Sequence, residues 1–246
     1  MCTLIVSFQQ QESAPLVIAA NRDELRGRPA TPPHRWPGED FLAPRDEQAG
    51  GTWLGLTREG LFVGVTNRFP SERFTDRQSR GTLVVEALRA RTARACRAQL
   101  EGLTATRFNT FHLLYADHEA AFVTWSDGAR ISHAQLSPGL HVVTERSLGG
   151  DDHGRTQLIE AAWPRLPREG GVPTAQGLEV LLGTRGAEDP TAGVCVDVPE
   201  INYGTRSSLV LFVAPGLRSS RWYWADGRPD TTPFVEHPWL IEELSR

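Results

Sequence analysis

Short apolar runs that come in pairs around polar turns constrain this 246-residue chain more than any other feature. CTLIVSF and PLVIAAN flank QQQESA, which predicts an antiparallel hairpin between residues 2–8 and 15–22. TWLGLT and LFVGVTN repeat the arrangement around REG. FHLLYA, AAFVTWSD, ARISHAQ and LHVVTE then follow one another with turns at DHE, DG and SPG, and SLVLFVAPG with RWYWADG makes a last hairpin. Helical spacing of apolar residues is confined to two blocks, GTLVVEALRARTARACRAQLEGL, and GRTQLIEAAWPRLP together with VPTAQGLEVLLG. Antiparallel strands with helices inserted as two blocks predict an α+β fold in which helix layers cover a two-sheet core. No repeat or low-complexity linker divides the chain, so residues 1–246 are expected to form one domain. The Pro- and Arg-rich stretch LRGRPATPPHRWPGEDFLAPRDEQ reads as a long loop able to fold over the mouth of a cleft.

A formal net charge of -4 removes the electrostatic footprint expected of a nucleic-acid binder. Cys2, Cys96 and Cys195 are odd in number and widely spaced, which gives neither a disulfide framework nor a CxxC metal pair. The seven histidines show no HExxH or paired spacing, so no catalytic metal is expected. With no basic-then-apolar leader and no apolar run of about 18 residues, the chain is expected in a reducing cytoplasm, without membrane insertion.

Chemistry points first to Cys2. A cysteine directly behind the initiator is small enough for Met1 to be removed, which would leave a thiol and a free α-amine on one residue. The alternative is an ordinary buried thiol. At the end of the second apolar run, NRDE places Asn21 and Asp23 on one strand face and Arg22 and Glu24 on the other. In the predicted hairpin Asp23 lies near the chain start, where its carboxylate could hold the Cys2 amine with Asn21 hydrogen-bonding beside it. A solvated, ion-paired strand-end turn is the competing reading.

MCT at the start, NRDE, GGTWLG at 50–55, Thr66-Asn67 and YGTRSS at 203–208 together resemble the NRDE family, also called transport and Golgi organisation proteins. That family is similar in turn to N-terminal-nucleophile hydrolases of the penicillin V acylase and bile salt hydrolase branch. The resemblance implies a four-layer αββα sandwich and a mature protein that begins at Cys2 and attacks an amide carbonyl. It implies that Asp23 holds the nucleophile's amine, that Asn67 and adjacent amides in GLFVGVTNR supply part of an oxyanion hole, and that Arg206 lies close to the thiol and favours the thiolate. Ala20 occupies the branch's arginine position, and Arg22 is displaced from it by two residues. The stretch GLHVVTER carries Glu145 where the branch has a second oxyanion asparagine. Losing one such donor costs about 10²–10³ in turnover, and a carboxylate there would also repel the oxyanion. An amide-cleaving site therefore requires Glu145 to be neutral, turned away or paired with an arginine such as its neighbour Arg146. GGTWLG is expected to shape a pocket rim through Trp53, with Thr66 beside Asn67.

Two function classes follow. One is an N-terminal cysteine hydrolase or acyltransferase acting on a non-peptide amide or thioester, with no cofactor required for catalysis. The other is a non-catalytic cargo protein on the same scaffold, for which the family resemblance suggests haem or an acyl-CoA.

Overall fold

The computed structural model describes residues 2–69, 74–148, 154–187 and 189–246. In chain order its strands begin with β1 (Cys2–Phe8), β2 (Leu16–Leu25), β3 (Ala30–Arg35), β4 (Phe41–Asp46), β5 (Leu54–Thr57) and β6 (Phe62–Asn67). They continue with β7 (Phe111–Ala116), β8 (Ala121–Ser126), β9 (Ile131–Leu136), β10 (Gly139–Val143), β11 (Arg168–Glu169) and β12 (Val172–Pro173). The last are β13 (Asp197–Val198), β14 (Tyr203–Val213), β15 (Arg221–Ala225) and β16 (Val235–Glu236). The α-helices are α1 (Arg80–Leu88), α2 (Ala93–Gln99), α3 (Gly154–Ala162), α4 (Ala175–Leu182) and α5 (Pro238–Leu244).

The described strands form two seven-stranded antiparallel sheets and one small hairpin of β11 with β12. The first sheet runs β10-β1-β2-β14-β15-β16, with β13 also on β14, and the second runs β3 to β9 in sequence order. Alternation along β1 and β2 explains why they are central. Leu4, Val6, Phe8, Leu16, Ile18 and Ala20 enter the core shared with the second sheet. Ile5, Val17 and Ala19 pack the other way, against Ile159 of α3 and Leu178, Leu181 and Leu182 of α4. Each fully buried Leu or Ile adds about 1.5–3 kcal/mol, so strands apolar on both faces belong between two covering layers. Helices α1 and α2 cover the outer face of the second sheet through Leu83, Val84, Ala87, Leu88 and Cys96. The result is the four-layer αββα sandwich. Among the described residues no helix is long and apolar enough to cross a membrane.

Three local readings of the sequence are corrected. The Pro- and Arg-rich stretch is not an irregular loop but the β3–β4 hairpin on the edge of the second sheet. An edge strand tolerates Pro32 and Pro33 because one side needs no amide donor, and the pairing slips between Thr31 and His34 where they sit. Strand β10 does not continue the meander from β9; it crosses to the first sheet and pairs with β1. The first helical block breaks after Leu88, and Thr92 caps α2 by accepting from the Ala95 amide at 3.1 Å.

One close approach of backbone shapes the region where function is sought. A Cβ on Gly51 would lie 2.4 Å from the Gly81 carbonyl carbon, and the Thr52 amide donates to the Gly81 oxygen at 3.3 Å. The GGTW segment thus seats the first turn of α1 directly upon itself. Because the obstructing atoms are backbone, Gly51→Ala is expected to cost about 1–3 kcal/mol, read as a lower denaturation midpoint. Unchanged stability would mean that this contact is looser than described.

Candidate active site

The β1–β2 register pairs Cys2 with Arg22 and Thr3 with Asn21. Paired residues share a face of the sheet, so Cys2 and Arg22 look toward the second sheet while Thr3 and Asn21 look toward the α3/α4 layer. At the end of these strands the sheets part, leaving a cleft of about 360 Å³. Cys2, Arg22, Trp53, Asn67, Phe74 and Arg77 are among the residues that line it, and the first turn of α1 forms part of its wall.

Burial pushes the Cys2 thiol above its ordinary value, and the Asp23 carboxylate adds to the rise. The positive amino terminus, a hydrogen bond with the Asp23 backbone and the Arg22 guanidinium pull it back. Arg22 itself is almost fully buried, lies 4.1 Å over the Trp53 ring and reaches Asp46 Oδ2 at 3.5 Å. Desolvation lowers its pKa, an effect opposed by the neighbouring Cys2, Glu24 and Asp46. Asp46 Oδ2 also accepts from Arg28 at 2.8 Å, and Arg28 lies 3.7 Å from Glu24. Two arginines and two carboxylates therefore make a locally neutral network on this wall.

Asp23 lines the back of the cleft, and its Oδ1 accepts from Thr205 Oγ1 at 2.7 Å. Burial raises its pKa to about 6; the charges of the amino terminus and Arg155 and the Thr205 hydrogen bond oppose the rise, and Glu145 adds to it. Asn21 is not brought to Cys2. Its Nδ2 donates to the Leu182 and Val194 carbonyls at 3.0 and 2.9 Å, and its Oδ1 accepts from Ser208 at 2.6 Å. It fastens the end of α4 to the sheet on the face opposite the thiol. Asn67 is exposed and lines the cleft. Thr66 is buried, bonded to His112 Nδ1 at 3.2 Å and to the Thr144 carbonyl at 3.3 Å, so it ties the second sheet to the end of β10.

Arg206 occupies a different place from the one expected. The register of β14 on β2 shifts between Thr205 and Ser207, making Arg206 the extra residue of a bulge, and it does not line the cleft. The guanidinium acting on the thiol is that of Arg22. Glu145 is buried and pairs with Arg155 at 3.3 Å, while Arg146 stacks on Phe69 at 4.3 Å. Arg155 also donates to Thr3 Oγ1 at 3.2 Å and to the Thr191 carbonyl at 2.5 Å. The Glu145 side chain is thus committed to the α3 layer and is not part of the cleft lining.

Sequence reasoning missed Arg155, Thr205, Arg28, Asp46 and Arg77. Thr205 was within reach, because pairing NRDE with YGTR on adjacent strands puts it opposite Asp23. Arg155 gives no local signal, since its partners come from β1, the end of β10 and a distant loop.

The layers and the strand order define an N-terminal-nucleophile-hydrolase-like fold. A mutant of conjugated bile acid hydrolase from Clostridium perfringens, with alanine in place of its own second-position cysteine, superposes with a TM-score of 0.51 at 10% identity, covering 96% of each chain. A second variant of that enzyme gives a TM-score of 0.51 at 9% identity, with the same coverage. At such identity the likeness is one of fold. The sequence matches the family Transport and Golgi organisation 2 over residues 1–217, and the chain belongs to that family. The Transport and Golgi organization protein 2 homolog of Bos taurus is 26% identical over 248 residues, spanning 87% of this chain and 88% of the relative. The Homo sapiens homolog gives the same identity and coverage.

The Glu145–Arg155 pair yields a direct expectation. Removing one partner of a buried ion pair costs about 3–5 kcal/mol, so Glu145→Gln should sharply lower stability in urea unfolding. The double change Glu145→Gln with Arg155→Met should recover part of the loss. Simple additivity of the two substitutions would refute the coupling.

Proposed function

We propose that this chain is an N-terminal cysteine hydrolase that acts on a non-peptide amide or thioester after loss of Met1. The observation that supports it most is the position of Cys2, at the head of a central strand, on a cleft wall, between a buried arginine and a buried aspartate. A thiol needed only for packing has no use for such neighbours.

In the proposed reaction Cys2 Sγ attacks the substrate carbonyl carbon and its proton passes to the Cys2 α-amine, which Asp23 holds in place. The tetrahedral oxyanion is met by Asn67 and neighbouring amides. Collapse breaks the bond to the leaving amine or thiol, which takes the proton, and leaves a Cys2 thioester. Water adds to that thioester with the same amine as base, a carboxylate departs and the thiol is restored. Another acceptor in place of water would make the protein an acyltransferase. Pairing of Glu145 with Arg155 answers the objection raised by a carboxylate in GLHVVTER. Three free cysteines suit a reducing cytoplasm.

Intact-mass measurement should show a chain lacking Met1, and a panel of N-acyl amides and acyl thioesters should yield a Cys2-linked acyl adduct under acid quench. Cys2→Ala should abolish both adduct and turnover. A retained Met1, or wild-type protein that never accumulates an adduct or turns over any substrate, would leave a binding role on this scaffold as the better account.

Acidity supplies a second test. Holding the amine requires ionised Asp23, so kcat/KM should rise with pH through about 6, and Asp23→Asn should remove that inflection. Stability runs the other way: with its folded pKa above the usual 3.8, Asp23 favours the fold at low pH, and that contribution is lost as pH climbs from about 4 through about 6. Asp23→Asn should flatten this limb of the stability profile. A wild-type rate flat across the same interval would contradict the assigned role.

A further inference from the structure

Charge around the cleft is unevenly distributed between its walls. On the strand wall Arg22 and Arg28 are answered by Asp46 and Glu24. Asp23 accepts a hydrogen bond from Thr205. On the facing wall stands Arg77, just ahead of Ser79, which caps α1 by accepting from the Gly81 amide at 3.2 Å. Arg77 donates one guanidinium nitrogen to the Phe108 carbonyl at 3.2 Å and lies 4.0 Å over the Phe74 ring. No carboxylate pairs with it among the described residues.

This cation is held in place. Phe74, on which it stacks, is clamped through its own backbone by Asn109, whose Oδ1 accepts from the Phe74 amide and whose Nδ2 donates to the Phe74 carbonyl, both at 2.9 Å. Asn109, Phe74 and Arg77 all line the same cleft as Cys2. A guanidinium anchored at one nitrogen and stacked on a ring whose backbone is clamped retains donors for a planar carboxylate, and it has lost part of the flexibility that weakens surface arginines. The first turn of α1 adds a favourable dipole on the same wall.

From this arrangement we infer that the cleft selects an acyl substrate bearing a carboxylate, which Arg77 binds while the scissile carbonyl lies at Cys2. The inference rests on the hydrolase reading for the word substrate, and its charge preference is testable without turnover. Iodoacetate and iodoacetamide both form an Sγ–CH₂ bond with expulsion of iodide, and they differ only in carrying a carboxylate or a neutral amide.

The rate of Cys2 alkylation, followed by peptide mass, should favour iodoacetate over iodoacetamide by about tenfold relative to the ratio for a small reference thiol. The preference should shrink as salt is raised from about 0.01 to 1 M. Arg77→Gln should lower the ratio toward the reference value and Arg77→Lys should restore part of it; the ratio cancels changes in the thiol that affect both reagents alike. Should Arg77→Gln fail to fold, the salt dependence of the wild-type ratio still decides. A ratio equal to that of the reference thiol, indifference to salt or to Arg77→Gln, or a Cys2 that neither reagent reaches, overturns the inference. Failure of the hydrolase reading would show instead as retained Met1 or a missing acyl adduct, neither of which sets this ratio.

Discussion

The antiparallel register between β1 and β2 determines what else this site can contain. Pairing Cys2 with Arg22 commits every side chain near the chain start to one of two faces. Cys2 and Arg22 take the cleft, Asn21 takes the helix layer, and Asp23 closes the rear wall where the sheet ends. A slip of one residue would exchange these roles and also turn Leu4, Val6, Ile18 and Ala20 out of the core. Burial of apolar side chains on both faces of β1 and β2 prevents it. The same packing energy that builds the sandwich therefore sets which polar residue stands beside the thiol.

A second constraint lies behind the strands. Thr3, Glu145 and Arg155 are all buried, and Arg155 joins them to the Thr191 carbonyl across four segments of the chain. Asp23 belongs to the same electrical neighbourhood, since both Arg155 and Glu145 act on its ionisation. Arg155 offsets the charge of Glu145, and the remaining positive field favours an ionised Asp23. The carboxylate that looked hostile to an oxyanion is better understood as the partner that lets an arginine be buried next to β1. That arginine in turn fixes Thr3, the residue adjoining Cys2.

The layer order was legible because two periods, two and about 3.6, alternate along the chain in long enough blocks to be told apart. What was not legible follows from the same physics. Proline argues against strand until one knows which strand lies at an edge, and β3 owes its edge position to the whole second sheet. The crossing of β10 to β1 depends on which sheet has an unpaired neighbour, a property of no single segment. At the site, the alternation of NRDE correctly separated Arg22 from Asn21 and Asp23. Yet Asn21, expected to hydrogen-bond beside the amine held by Asp23, bonds to the Leu182 and Val194 carbonyls instead, because the sequence cannot say which face looks into a cleft. Arg206 fits its motif, yet it falls at the bulge between Thr205 and Ser207 and is not among the residues lining the cleft. One inserted residue is invisible to pattern.

The state of the thiol narrows the chemistry further. Desolvation holds Cys2 above its ordinary pKa even with Arg22 beside it, so at neutral pH the resting group is a thiol and not a preformed thiolate. The proposed attack therefore requires a proton to leave and a base to be in reach. Imidazole is the usual choice, but the described lining of the cleft holds no histidine. His112 is fully buried, bonded to Thr66 and depressed by that burial to about 4, which keeps it neutral and occupied. Among the groups that remain, Asp23 at about 6 is a weak base, and the Arg22 guanidinium offers donors but no acceptor. In the proposed reaction that base is the Cys2 α-amine, whose ordinary pKa of about 8 suits a general base. With Met1 in place, that nitrogen is an amide and has no basicity. On the proposed reading, a half-buried neutral thiol and an amine released by processing are two halves of one requirement.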